Sequence, residues 1–336
     1  MSTRDRLCAL LQAVLRPLGL SVRTSRDYDA LVRERDAYRE LLLCRRGIQP
    51  APEESRIACI VFSKDRALQL HGLLASMQEQ VSPPPTTHVL YDCSSTAHAA
   101  AYHELAELFP RIRFLRQRNR TSFRDDLLRL LDELSEERLF FLVDDLLFTE
   151  PVDLRPLAAL DSDRFVPSLR LGCNLTRCYT LQADQPLPPA AKPDPDLDDA
   201  FFCWRWSKGV HDWGYPLSVD GHIFDRREIT ILTHHARFTA PNSFEDGLQL
   251  FRPLFQGRLG VCYRKSRLLN IPCNKVQVEN DNLAGDIHPD HLLERWQAGF
   301  RVDYRRYYGF ANISAHQEVP LYLHTPHPAA PSAAKG

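Results

Sequence analysis

Four short, unbroken apolar runs in the first half of the chain constrain its fold more than any other feature. Ile57–Phe62, Val89–Tyr91, Ile112–Leu115 and Leu139–Val143 alternate with segments of helical pattern at Ala67–Gln80, Thr96–Phe109 and Asp125–Glu137. Runs this short and this uniformly apolar suit strands buried on both faces of a parallel sheet. Their alternation with helices inside about 90 residues predicts an α/β fold: a mostly parallel open sheet flanked by helices. In such sheets ligands bind beyond the carboxyl ends of the strands. The turn Ser63-Lys64-Asp65-Arg66, then Asp92, then the pair Asp144-Asp145 each follow a strand end. The topology therefore gathers these acids along one side of the sheet.

The amino-terminal segment 1–50 has a different pattern. Leu7, Leu10, Leu11, Val14, Leu15 and Leu18 recur at helical spacing until Pro17 and Gly19 break the run. A second helix is predicted over Ser25–Leu43, with Tyr28, Leu31, Val32, Tyr38 and Leu42 on its apolar face. Ten arginines stand against six acids here, a local charge of +4. Two readings follow: a helical pair that packs on the main domain or on a second copy of the chain, or a basic amphipathic element for a membrane surface or a partner. Gly47–Ser55 reads as a linker. From about Asp163 the pattern is less regular. Phe165–Leu171 and Cys178–Leu181 suit strands, Gln185–Asp199 a Pro- and Asp-rich loop, Arg226–Leu232 a helix, and Phe244–Phe255 a helix capped by Asn242 or Ser243. The organisation expected is a helical segment (1–50), a first half (56–160), a second half (161–323) and a disordered Pro/Ala-rich tail (324–336).

Several common machines are excluded by motif. The chain has no GxxxxGK[ST], no GxGxxG after its first strand, no HExxH and no GxSxG. A net charge of −1 gives no support to nucleic-acid binding. Nine cysteines without a CxxC pair suit reduced thiols in a cytoplasmic setting, not a disulfide frame or a zinc site. No run reaches the roughly 20 apolar residues of a membrane span.

Asp144-Asp145 ends a very apolar stretch, Phe140–Phe148. Two carboxylates there are costly to bury unless they are paired or hold a metal. A hard divalent ion such as Mg²⁺ uses one or two carboxylates together with substrate phosphates. The alternative is that one Asp caps the following turn and the other pairs with an arginine. Arg111, Arg113, Arg116, Arg118, Arg120 and Arg124 surround the third strand, either as a solvated face or with Arg118 or Arg120 reaching a diphosphate. Phe201, Phe202, Trp204, Trp206, Trp213 and Tyr215 suit either a core or sugar stacking, Trp213 being the candidate site residue. Asn270–Gln277 is dense in amides, suited to substrate hydroxyls or to holding a loop.

On these residues the chain resembles the GT-A fold glycosyltransferases, in their family-2-like branch, over roughly 56–318. That fold is Rossmann-related. Ile57–Arg66 resembles the opening strand and its nucleotide-facing turn, and Val89–Ser95 the second strand, whose terminal acid faces the base. Phe141–Asp145 stands where that fold carries an Asp-x-Asp metal motif, with Val143 in place of the first Asp. The resemblance implies donor-binding roles for Ser63, Lys64, Asp65, Arg66, Asp92, Arg118 and Asp144. It implies a divalent cation, Mn²⁺ or Mg²⁺, at Asp145 with Asp144, and a late ligand in His316. Asp220–Arg227 resembles the acceptor-side segment, which points to Trp213, Asp220 and His222. Asn242–Asp246 resembles the helix start carrying the catalytic carboxylate of inverting members. Glu245 is favoured as base, with Asp246 and then Asp220 as alternatives. The implied partners are a nucleotide-sugar donor and a glycan, lipid-linked or other hydroxyl acceptor. The setting expected is cytoplasmic, or peripheral to the inner face of a membrane. Two rival readings are a nucleotidyltransferase, and a non-catalytic sugar- or partner-binding protein on a degenerate transferase fold.

Overall fold

The computed structural model describes residues 11, 25–45, 56–119, 121–191, 199–273 and 287–325. The predicted helix before residue 25, apart from Leu11, the linker before Arg56, Arg120, most of the Pro- and Asp-rich loop and the tail from 326 lie outside the described residues. Helix α1 is Ser25–Arg45. The first strand, β1 (Ile57–Lys64), leads into α2 (Ala67–Gln80). Then follow β2 (Thr86–Asp92), α3 (Thr96–Leu108), β3 (Arg113–Arg116), α4 (Phe123–Glu133) and β4 (Arg138–Val143). Past the acidic pair come β5 (Leu146–Phe148), β6 (Phe165–Ser168), β7 (Phe201–Arg205) and β8 (Ile223–Asp225). Helices α5 (Arg226–His235) and α6 (Pro241–Leu248), strands β9 (Leu259–Tyr263) and β10 (Leu268–Asn270), and helix α7 (Pro289–Gln297) complete the main elements.

The central sheet has the order β8-β4-β1-β2-β3. Strands β1 to β4 are parallel and β8 is antiparallel at the edge beside β4. Both faces of the middle strands are buried, as the unbroken apolar runs require. Ile57, Cys59 and Val61 enter one core with α2, α3 and α7. Ala58, Ile60 and Phe62 enter the other with α1, α4, α5 and α6. This is a three-layer α/β/α arrangement, and both cores draw on residues from before and after residue 160. A second sheet, β7-β9-β6, and the antiparallel pair β10-β5 lie in the later part of the chain.

Several local expectations change. The run Cys178–Leu181 forms only a two-residue pairing, Arg177–Cys178 with Ala183–Asp184. Helix α6 begins at Pro241, whose fixed φ suits a first helical position. Its amino end is held by the Ser243 hydroxyl, which accepts from the amides of Thr239 and Ala240 at 3.0 Å each. Finally, α1 packs through the face opposite to the predicted one. Ala37 and Leu41 are buried against the domain, whereas Tyr28, Leu31 and Leu42 are exposed. The periodicity located an apolar face, but small residues let the other face approach α5 closely. A hydrogen bond between His235 and Glu40 at 2.9 Å and an ion pair of Arg237 with Asp29 at 3.6 Å flank that contact. At the other end of the chain, His324 lies in a short pairing of Leu323–His324 with Arg301–Val302, so ordered structure continues past the expected start of the tail. No described helix is long and apolar enough to cross a membrane.

Candidate active site

The carboxyl ends of β1 and β4 meet around Asp144. Its Oδ2 accepts from the Ser63 hydroxyl at 2.7 Å and from the Lys64 amide at 3.1 Å. Because Ser63 donates to Asp144, the Tyr102 hydroxyl donates to Ser63, at 2.5 Å, and accepts from the Arg66 amide at 3.3 Å. Arg66 lies at the mouth of α2, and its Nη1 is 2.9 Å from Asp144 Oδ1 and 3.0 Å from Asp145 Oδ2. Burial pushes the Asp144 carboxyl up to about 6, with Arg66 and Ser63 pulling the other way. Asp145 is also held from β10, where Asn270 donates its Nδ2 to Oδ1 at 2.7 Å. The antiparallel register places Asn270 opposite Leu146, and the Ile271 amide bonds the Asp145 carbonyl at 2.9 Å.

Beside the pair, Asp65 adopts a left-handed backbone at φ 54°, a conformation an aspartate tolerates. Its carboxylate accepts from the Ser94 amide at 2.8 Å and so ties the end of β1 to the loop after β2. Asp92 is opposite Lys64 in the sheet and half-buried. Arg118 does not approach these groups. Its guanidinium is 2.7 Å from Asp126, at the start of α4, so it serves a helix terminus.

A second cluster lies past β6 and before β8. Buried Arg170 contacts Asp212 at 2.6 Å, Ser218 at 2.8 Å and Asp220 at 3.3 Å. Gly221 follows at φ +80°, a turn in which a Cβ would meet Leu268 at 2.5 Å, and its amide bonds Phe141. From α6, Glu245 Oε1 accepts from the Val219 amide at 3.2 Å, while Asp246, one residue on, is exposed. The 100° step between adjacent helical residues turns only Glu245 towards this cluster. Burial, and then Asp220, push the Glu245 carboxyl up to about 7. His316 Nε2 is 3.6 Å from Asp220 Oδ2, and its backbone bridges to Asn270. Burial and Arg170 push the His316 imidazole down, with Asp220, Asp212 and Asp145 opposing. Asn270 and His316 thus connect the two clusters.

Two acceptor candidates fall in the core. Trp213 is fully buried, edge-on to Trp204 at 4.8 Å. Trp204 itself lies over Gly260, where a Cβ would come within 2.2 Å of the ring. His222 is buried, bonded through Nδ1 to the Pro216 carbonyl at 3.0 Å and 5.3 Å from the Trp206 ring. Burial pushes it down to about 3, so it is neutral. Large rings and a neutral imidazole fill volume here, in and beside the core that the second sheet shares with α5 and α6. Tyr102, Arg170, Asp212 and Ser218 are site residues the sequence did not single out. Asn270 carried a signal in the amide-dense run Asn270–Gln277.

The resemblance implies a divalent cation at the acidic pair, and the donor chemistry fits one. Asp144 and Asp145 present hard oxygens, and the side-chain amide oxygen of neighbouring Asn270, Oδ1, is buried with no hydrogen-bond partner. Among the described residues, no three His, Cys, Asp or Glu side chains converge on one point. An ion here would therefore complete its shell from Asn270, the diphosphate and water.

No family model matches the sequence. The chain is 25% identical over 193 residues to the bifunctional glycosyltransferase pgtA of Dictyostelium discoideum, covering 53% of this chain and 25% of that protein. The chain resembles a glycosyltransferase in sequence over that stretch. It spans about a quarter of the length of that relative. Among solved structures it is similar to the mannosyltransferase PcManGT of Pyrobaculum calidifontis, in complex with GDP-Man and Mn²⁺. That likeness has 18% identity, covers 42% of this chain and 46% of the other, and has a TM-score of 0.28. S. aureus TarS 1–349 is 14% identical over 63% of this chain and 59% of its own, with a TM-score of 0.42. The same protein in complex with UDP gives 15% identity and a TM-score of 0.41.

Proposed function

We propose that the chain transfers a glycosyl unit from a nucleotide-diphosphate sugar to an acceptor hydroxyl, with inversion at the anomeric carbon. The observation that carries this reading is Glu245: a carboxyl held near neutrality, on a helix, beside the carboxyl ends of the parallel strands. A general base works best when its pKa lies near the operating pH, and contributes about 10²–10⁴-fold. Residues 56–160 would hold the donor, with Asp92 towards the base and the β1 turn towards ribose and phosphates. Residues 161–323 would hold the acceptor. Glu245 takes the acceptor proton as that oxygen attacks the anomeric carbon. The bond to the diphosphate oxygen breaks with its electron pair, and a nucleoside diphosphate leaves. Asp220, fixed by Arg170, faces Glu245 and keeps its carboxyl basic. A divalent cation held by Asp145 with Asp144 and Asn270 would supply Lewis-acid charge for the diphosphate. His316 would add to that side of the site.

The test is a panel of nucleotide sugars, followed by release of nucleoside diphosphate with Mn²⁺, with Mg²⁺ and with a chelator, on the parent and on Asp145→Asn. One donor consumed by the parent supports the reading, with binding weakened in the variant while the fold is kept. A chain that binds and consumes none of them is not a transferase of this class.

A further inference from the structure

The cation present at the acidic pair is the chain's own. Arg66 places a single nitrogen, Nη1, between Asp144 Oδ1 at 2.9 Å and Asp145 Oδ2 at 3.0 Å. The strong arginine–carboxylate contact uses two parallel N–H groups on one carboxylate. Here one nitrogen is shared by two, in the manner of a bridging ion. The carboxylates do not depend on Arg66 for their position. Ser63 and the Lys64 amide hold the far oxygen of Asp144, and Asn270 holds that of Asp145.

Charge decides what this arrangement does. Two carboxylates and one guanidinium leave the pair one negative charge in excess, which repels a nucleoside diphosphate. With a divalent ion in place of the guanidinium the pair is neutral, and the Arg66 charge is returned to the site. The exchange adds two positive charges where the diphosphate must lie. The Asn270 side-chain amide lies beside the pair: its Nδ2 meets Asp145, and its Oδ1 is buried without a hydrogen-bond partner.

We propose that Arg66 is a displaceable counter-ion: it occupies the Asp144–Asp145 pair in the free protein, cedes it to a divalent cation that enters with the nucleoside diphosphate, and then faces the diphosphate. The proposal rests on the donor site described above. It makes metal and nucleotide binding strongly cooperative, and by linkage each raises the affinity of the other by the same factor.

Mn²⁺ binding to the full chain, read from the electron paramagnetic resonance of free Mn²⁺, tests this without any turnover. The parent should bind Mn²⁺ weakly alone and at least about tenfold more tightly with saturating UDP or GDP. Arg66→Gln removes the competing charge and should bind Mn²⁺ alone about tenfold more tightly or better, with the nucleotide effect reduced. Arg66→Lys keeps a charge on a more flexible stem and should lie between the two. If Arg66→Gln folds only when Mn²⁺ is present, seen as a metal-dependent thermal transition, the exchange is supported. Arg66→Gln and Arg66→Lys with parental Mn²⁺ affinity overturn the proposal, as does a parent whose Mn²⁺ affinity ignores nucleotide. Nucleotide-sugar turnover in a protein that binds no Mn²⁺ overturns it while leaving the transferase reading intact. Failure to bind any nucleoside diphosphate or nucleotide sugar strikes that reading instead.

Discussion

Replacing Glu245 by Gln should reduce activity and raise stability in the same molecule. The Glu245 carboxyl lies near 7 in the folded chain against an ordinary 4.5, because burial and Asp220 oppose its ionisation. Between those two values the unfolded chain releases this proton and the folded chain keeps it, so stability falls as pH rises across the window. Below about 4.5 the cost is absent, and above about 7 it is fully present, at about 3 kcal/mol. Gln keeps an oxygen for the Val219 amide and offers Asp220 an N–H in place of a charge. Glu245→Gln should therefore be about 3 kcal/mol more stable than the parent at pH 8 in denaturant unfolding, with the difference gone near pH 4.5. Its turnover should fall by about 10²–10⁴-fold with donor affinity near the parent value. In the parent, kcat/KM should rise with pH and level off above about 7, since the base works only when deprotonated. A variant that loses activity and is also less stable at pH 8 would refute this reasoning, because it would make Glu245 a structural residue.

Other expectations follow from burial and pairing. Asp246→Asn, on the exposed side of α6, should change turnover far less than Glu245→Gln, and the reverse ranking would move the base. Trp213→Ala should cost about 3–5 kcal/mol in denaturant unfolding while KM for the acceptor stays near the parent value, since Trp213 is core. Arg258→Ala strands Glu228, which Arg258 contacts through two nitrogens at 2.5 and 2.7 Å, and should cost about 3–5 kcal/mol by the same measurement. Removing residues 1–45 uncovers the face of α5 that Ala37 and Leu41 bury, and should lower the unfolding midpoint. An unchanged midpoint would show that α1 is a separable module.

The parallel sheet was legible because its strands are buried on both faces, which leaves short apolar runs that little else produces. The acids after those runs were legible for the same reason: topology alone carries Asp65, Asp92 and Asp144 to one side of the sheet. The partners of these acids were not legible. Arg170 reaches Asp212 and Asp220 through loops whose course no local pattern records. Asn270 reaches Asp145 only through the register of β10 on β5. Trp213 and His222 were ambiguous because an aromatic or imidazole beside Asp and Gly reads alike in a core and in a cleft. In α1 the larger side chains drew attention, while Ala37, small enough for close helix contact, marked the packed face.

The proposed transfer inverts the anomeric carbon with Glu245 as base. Proton NMR of the product formed from a consumed nucleotide sugar, with parent and Glu245→Gln run side by side, tests it most directly. The expected product has a new glycosidic bond of opposite anomeric configuration to the donor, formed by the parent and lost by about 10²-fold or more in the variant. A product that keeps the donor's configuration, or one formed equally fast by Glu245→Gln, would contradict it.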